Sequence, residues 1–390
     1  MPTPARESLS QPRYNPPMPT VGQTPIGLDV RLTYYTGGGI ARYVRHLATD
    51  LPSVDPAFSF MHFYRRGHKQ TFSTAAQRIN CWTPAHNRFE RLALSAEVWP
   101  HRLRLLHSPD FIPPAGGYGR SVITIHDLTF LRYPQFLTPH SRRYYNDQIR
   151  WAVGRADAIS ADSHATRADL INLLGAPPEK ITVIHLGLEP VYNANPAADD
   201  GALRQKLGLT SGYILFVGTF EPRKNVDGLL AAYARLRLRA PDAPRLVLVG
   251  RRGWLFESTL RRLRELALEP HVTLLTELAE TDLPALYRGA ALFVLLSHYE
   301  GFGLTVLEAM GCGVPAVIAN RPSLPEIAGD AALAVEPDDP EAAADALYRG
   351  LTDSALRATL AARGRQRAAQ FTWENTARAT LALYHAVLGA

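Results

Sequence analysis

Two glutamates, Glu300 and Glu308, stand eight positions apart in "HYEGFGLTVLEAMGCGVPAVIAN" (298–320), the first at a glycine turn and the second inside an apolar run. A strand that ends at Ser297 and a helix that begins near Leu304 would aim the amides of Gly303, Leu304 and Thr305 into a cleft, with the positive end of the helix dipole behind them. That is an anion site. Glu308 follows Leu304 by four residues and Thr305 by three, so it shares their helical face, while Glu300 approaches from the other side of the turn. Each carboxylate oxygen accepts two hydrogen bonds, so the pair suits hydroxyl groups on either side of a bound phosphate. The plainer readings are dipole compensation for Glu308 and a solvated turn for Glu300. An acid and base pair flanking a glycosidic bond is a third, and a phosphate site between the carboxylates argues against it.

Three other stretches carry chemistry. In "GTFEPRKN" (218–225) Arg223 and Lys224 follow the apolar run "YILFV", which places a planar fork and a point charge at a strand's carboxyl end, a suitable clamp for a diphosphate. "TGGGIARYV" (36–44) puts Gly38 and Gly39 in a turn that lets a ligand approach the backbone. It is no dinucleotide fingerprint, because Arg42 stands where G-x-G-x-x-G has its last glycine. "VITIHDL" (122–128) sets His126 and Asp127 at another strand end, where a lone histidine is more often structural than reactive.

These loops need parallel strands with carboxyl ends facing one place. From residue 26 short β-rich runs alternate with helical segments, the rhythm of α/β folds. The first half predicts strands at "IGLDVR", "LLHSP", "SVITIHD", "AISAD" and "ITVIHLG". The second predicts six, at "YILFVGT", "RLVLVGR", "VTLLTEL", "LFVLLS", "PAVIAN" and "ALAVEP". The expected division is a disordered leader over 1–25, a first Rossmann-like domain over 26–195, a linker over 196–209, a second such domain over 210–372, and a helix over 373–390, capped at Thr372, that returns to the first domain.

Composition narrows the classes. With 46% hydrophobic residues in 390, the chain can bury large cores. No apolar run reaches the roughly 18 residues that span a bilayer, and the opening 25 residues hold seven prolines and no apolar core of a signal peptide. Cys81 and Cys312 build neither a disulfide framework nor a zinc site, so a reducing cytoplasm is expected. Residues 1–195 carry +7 and 196–390 carry −1, so the first half suits an anionic acceptor, nucleic acid or the inner face of an acidic membrane, the last through Arg65/Arg66, Arg102/Arg104 and Arg142/Arg143.

"GTFEPRKN", "EGFGLTVLE" and "MGCGVPAVIANRPSLPEIAGDAALAVEPDD" together resemble the retaining family-4 glycosyltransferases of GT-B fold, over nearly the whole chain. The resemblance implies transfer of a hexose from a nucleoside-diphosphate sugar to an acceptor hydroxyl of a saccharide or lipid-linked acceptor, with no metal, no cofactor and no nucleic acid. It gives Glu300 the donor-sugar hydroxyls, Glu308 the ribose, and Arg223 and Lys224 the diphosphate, helped by the amides of Gly303, Leu304 and Thr305. Leu278 borders the base, His126 lies near the reacting sugar, and Gly38 and Gly39 belong to the phosphate and acceptor loop. Two departures stand out: Thr219 replaces a common arginine, and Thr305 a common proline. "EPRKN" and "VGRRGW" look most like the bacterial subgroup of polysaccharide assembly, often with GDP-mannose. A UDP-sugar donor and a catalytically silent nucleotide-sugar-binding scaffold are the alternatives.

Overall fold

A computed structural model of the chain describes residues 23–389 apart from 36, 88, 137–138 and 254–255, and also leaves out the side-chain surroundings of 139–144. The expected leader therefore lies almost wholly outside the described residues, and the first strand opens at Thr24.

Two parallel sheets organise the protein. The first runs β3-β2-β1-β4-β5-β6-β7, with β1 at Thr24–Asp29, β2 at Phe58–Arg65, β3 at Gln77–Cys81, β4 at Leu103–Ser108, β5 at Tyr118–Ile125, β6 at Ala158–Ala161 and β7 at Ile181–Val183. The second runs β10-β9-β8-β11-β12-β13, with β8 at Tyr213–Val217, β9 at Leu246–Val249, β10 at Val272–Leu275, β11 at Ala290–Leu295, β12 at Ala316–Ala319 and β13 at Ala332–Val335. All six strands expected in the second half are present. Their central members read as unbroken apolar runs because helices cover both faces of the sheet: every residue of β8, β9 and β12 is buried.

The first sheet has seven strands where five were expected. β2, "FSFMHFYR", interleaves Ser59, His62 and Arg65 among its aromatics, which spoils a simple apolar run, yet it lies between β1 and β3 with its centre buried. β3, "QRINC", is the sheet edge, where only Cys81 is buried and no apolar pattern is required. The linker also differs from expectation. Residues Asp200–Lys206 form a helix that packs on the helix Leu283–Gly289, and Arg288 binds Asp200 from Nε at 2.6 Å and Nη2 at 2.7 Å. These residues extend the second domain.

The last helix, Trp373–Leu388, starts at Thr372, whose hydroxyl accepts from Asn375 N. It packs on the helix Gly39–Val54 and on β4, β5 and β6, and so returns to the first domain. Trp373 stacks on His46 with centroids 4.1 Å apart, Tyr384 OH lies 2.7 Å from His107 Nδ1, and His385 Nε2 lies 2.7 Å from Asp55. Its buried Trp373, Leu381, Leu383 and Tyr384 each supply about 1.5–3 kcal/mol of apolar transfer, which ties the two domains together at a seam far along the chain from the first domain's own residues.

In each sheet the strand order reverses once, beside β1 in the first and beside β8 in the second. Loops leaving the carboxyl ends of strands at such a point diverge and open a crevice. "TGGG" follows β1, "GTFEPRKN" follows β8 and "SHYEGFG" follows β11, so three of the four loops singled out in the sequence leave the sheets at these two points, and the fourth, with His126, follows β5 one strand further along.

Candidate active site

The Glu300 end of the cleft is assembled within the second domain. β8 delivers Arg223 and Lys224, and β11 delivers Ser297 and Glu300, because the two strands are neighbours at the reversal. Lys224 Nζ donates to Glu300 Oε1 at 2.6 Å, Ser297 Oγ to the same oxygen at 2.7 Å, and Arg223 Nη1 to Glu300 Oε2 at 2.7 Å. Arg223 also binds Tyr299 O at 3.0 Å and Glu221 Oε1 at 2.6 Å. Burial pushes the Glu300 carboxyl up, but Arg223 and Lys224 outweigh it and hold the group down at about 2. A carboxylate ionised at every physiological pH accepts hydrogen bonds and does not donate a proton.

Gly303 adopts φ 111°, a left-handed conformation, and caps the helix Leu304–Gly311. The first amides of that helix have no intrahelical acceptor, and Gly303, Leu304 and Thr305 line the cleft, as an anion site requires. Gly301 meets a different constraint: a Cβ there would fall 2.0 Å from His126 O, so only glycine lets the turn of the second domain touch the first. Ser163 Oγ seals the same contact by donating to Gly301 O at 2.6 Å.

Glu308, on the buried face of that helix, depends on both domains. Tyr287 OH donates to its Oε2 at 2.8 Å, and Arg42 Nη1, from the first domain, donates to its Oε1 at 2.5 Å. The same guanidinium pairs with Glu280 and lies 3.3 Å from Glu189 through Nε. Burial raises the Glu308 carboxyl above the usual carboxylate range, and Arg42 and Tyr287 only partly offset it. Arg42 is the residue that breaks the dinucleotide fingerprint. The missing glycine is replaced by a cation that crosses the cleft.

His126 has both ring nitrogens engaged. Nδ1 lies 2.7 Å from Asp162 Oδ2 and Nε2 lies 2.9 Å from Pro109 O. A carboxylate and a carbonyl both accept, so both nitrogens carry protons and the ring is an imidazolium. Burial alone would lower its pKa, but Asp162 reverses this and lifts it to about 9. In this arrangement the ring has no lone pair with which to take a proton, and it acts as a fixed cation.

One cleft of about 430 Å³ between the domains is lined by every residue singled out in the sequence: Gly38, Gly39, His126, Arg223, Lys224, Leu278, Glu300, Gly303, Leu304, Thr305 and Glu308. Arg42, Arg251, Glu280 and Asp162 line it too and were not assigned there from sequence. Gly37 sits against the Arg251 guanidinium and Gly39 against Leu304, so the glycine turn of the first domain faces the helix start of the second.

Outside the cleft, His164, His185 and Glu326 bring ligand-type atoms within 4.8 Å of one another. Glu326 already accepts from the amides of His164 at 2.9 Å and Ala165 at 3.2 Å, which caps the helix His164–Leu174 across the domain seam. Among the described residues no helix is long and apolar enough to cross a membrane.

Sucrose-phosphate synthase from Thermosynechococcus elongatus has the same architecture, with a TM-score of 0.75 at 25% identity over 94% of this chain and 100% of that one. The fold and its cleft thus define a GT-B glycosyltransferase. Residues 37–191 match the family described as Glycosyltransferase Family 4 and residues 199–367 that described as Glycosyl transferases group 1. O-antigen chain mannosyltransferase B of Escherichia coli is 36% identical over 281 residues, 72% of this chain and 74% of that protein. D-inositol 3-phosphate glycosyltransferase of Salinispora arenicola (strain CNS-205) is 34% identical over 290 residues, 69% of this chain and 64% of that one. The chain belongs to the family-4, group-1 glycosyltransferases.

Proposed function

We propose that the protein moves a hexose, mannose from GDP-mannose, onto a hydroxyl of a growing saccharide, with the anomeric configuration retained and without a metal ion. The observation that carries this reading is the meeting of Arg223, Lys224 and the start of the helix Leu304–Gly311 in one cleft, between two buried carboxylates. The cations and amides suit the diphosphate; Glu300 suits the sugar hydroxyls beside it, and Glu308 the ribose. As the glycosidic bond lengthens, negative charge grows on the leaving phosphate, where Arg223, Lys224 and the helix dipole stabilise it. The phosphate then takes the proton of the acceptor hydroxyl, since Glu300 is too weak a base, held down at about 2 with Lys224, Ser297 and Arg223 on its oxygens, Glu308 is tied to Arg42, and His126 has no lone pair. Mannose is supported by the name of the Escherichia coli relative. The test is to incubate the protein with GDP-mannose, GDP-glucose and UDP-glucose and a mannoside acceptor, and to read the product anomer by NMR. Product from GDP-mannose with an α-linkage is expected; an inverted anomer, or a preference for UDP-glucose, would reject the respective part.

We further propose reversible contact of the first domain with an acidic membrane. Phe89, Leu92 and Trp99 form an exposed stripe along and beside the helix Glu90–Val98, and Trp82, also exposed, is tied to that helix by Glu97 and carries the Arg66 guanidinium over its ring at 3.5 Å. Of the arginines named from sequence, Arg66, Arg102 and Arg104 are exposed, whereas the side chains of Arg142 and Arg143 lie outside those described. Sedimentation with phosphatidylglycerol vesicles should exceed that with neutral vesicles and fall with salt; no preference would return these residues to an ordinary solvated surface.

A further inference from the structure

Beside the cleft lies a second cavity, of about 240 Å³, that belongs to the first domain except where Glu221 and Arg223 close it. It shares Ile40, His126, Asp127 and Arg223 with the cleft, so a group seated in it reaches the place where the donor sugar would react. We infer that this cavity seats the acceptor, and that its walls select an uncharged pyranose over an acceptor whose reacting residue carries phosphate or carboxylate. The inference rests on the transferase reading and adds to it the acceptor class and the residues that hold it.

Two kinds of wall support this. One is aromatic. Phe111, Phe130 and Tyr145 form a cluster in which each ring touches the other two, with centroids 5.4 to 5.8 Å apart. Phe111 and Phe130 are buried and fix the cluster, whereas Tyr145 and Phe136 are half-buried and can be touched by a ligand. Aromatic surface of this kind covers the apolar C–H face of a sugar ring while a few polar groups fix its orientation.

The other wall is made of carboxylates. Asp110 binds His86 Nε2 at 2.6 Å and Phe111 N at 2.8 Å. Asp127 accepts from Thr129 N at 2.8 Å, and its Oδ2 has no hydrogen-bond partner among the described residues. Carboxylate oxygens accept from hydroxyls and repel anions. The cations on these walls are committed: Arg223 to Glu300 and Glu221, His126 to Asp162, and His86 to Asp110. A phosphate entering here would meet the unpaired oxygen of Asp127 and two carboxylates already paired with cations, Asp110 and Glu221, and no uncommitted cation among the described residues.

The test uses the full chain saturated with GDP and saturation-transfer NMR with two probes, methyl α-D-mannoside and inositol phosphate. The mannoside signal is expected, with that of the inositol phosphate at least about tenfold weaker. Tyr145→Ala, checked for folding by circular dichroism, should lose most of the mannoside signal and Tyr145→Phe should restore it; Phe136→Ala, at the half-exposed position, serves if Tyr145→Ala does not fold. In turnover, Tyr145→Ala should raise the acceptor KM about tenfold more than the donor KM. Stronger binding of the inositol phosphate, or a mannoside signal indifferent to Tyr145 and Phe136, would overturn the inference. Mannoside binding that depends on Tyr145 in a protein that consumes no nucleotide sugar would support the pocket and reject the transferase reading.

Discussion

Glu300 and Glu308 belong to one motif and one cleft, but they are held in opposite ways. Glu300 lies in a cage built wholly by its own domain, with two cations and a serine on its oxygens, and is held down at about 2. Glu308 has one tyrosine from its own domain and one arginine from the other, and burial leaves its carboxyl raised. The first arrangement needs nothing from the other domain. The second exists only where the two domains meet, so the cleft has one wall pre-built within a single domain and one that both domains complete.

The largest effect should come from the pre-built wall. Lys224→Met removes a cation from the proposed diphosphate position and a partner from buried Glu300. We expect kcat/KM to fall by about 10² to 10³, the usual loss for one electrostatic donor aimed at developing charge. Initial rates with saturating acceptor measure it, and a loss below about tenfold would place the leaving group elsewhere.

Arg42→Met separates the two walls. It should leave the Glu300 cage untouched, raise the Glu308 carboxyl further, and weaken GDP binding by about tenfold, with Arg42→Lys between. Calorimetry reads the affinity, and small-angle scattering should show a looser arrangement of domains in Arg42→Met. An unchanged affinity with an unchanged profile would make Arg42 a passive buried cation.

That contrast also explains what the sequence could reveal. Glu300, Glu308, Arg223 and Lys224 sit on loops whose flanking strands are unbroken apolar runs, so motif and position could be read together. Arg42 could not be paired with Glu280 and Glu308 in this way, because the partners lie 238 and 266 positions away. The ionised state of His126 was hidden for the same reason: Asp162 and Pro109 reach it from the ends of β6 and β4, and only the sheet order brings them together. β2 and β3 escaped notice because one breaks its apolar run with polar residues and the other is an edge. The seam glycine Gly301 reads as a turn residue, and nothing local says that another domain's carbonyl occupies the space of its Cβ.

A smaller effect concerns the first domain's own side of the cleft. His126 is raised from 6.5 to about 9, so the stability its charge contributes should be fully present below about pH 6.5 and lost as pH rises through about 9. The melting temperature of the wild type should decline across that window, whereas His126→Gln should be lower at neutral pH and flatter with pH. Parallel curves for the two proteins would mean that the imidazolium adds nothing. The smallest effect expected is none: millimolar EDTA should leave transfer unchanged, because in the proposed reading Arg223, Lys224 and the helix start would take the place of a metal at the diphosphate. Loss in chelator, restored by Mg²⁺ or Mn²⁺, would contradict this.

The most direct measurement is a pair of titrations of GDP into Glu300→Ala and Glu308→Ala, set beside their transfer rates. If the two carboxylates serve different parts of the donor, Glu300→Ala keeps its GDP affinity within a few fold while losing transfer, since the sugar it would hold is absent from GDP. Glu308→Ala weakens both, by about tenfold or more in affinity, because it would hold the ribose. Equal losses of GDP affinity in the two variants would contradict the division of the cleft.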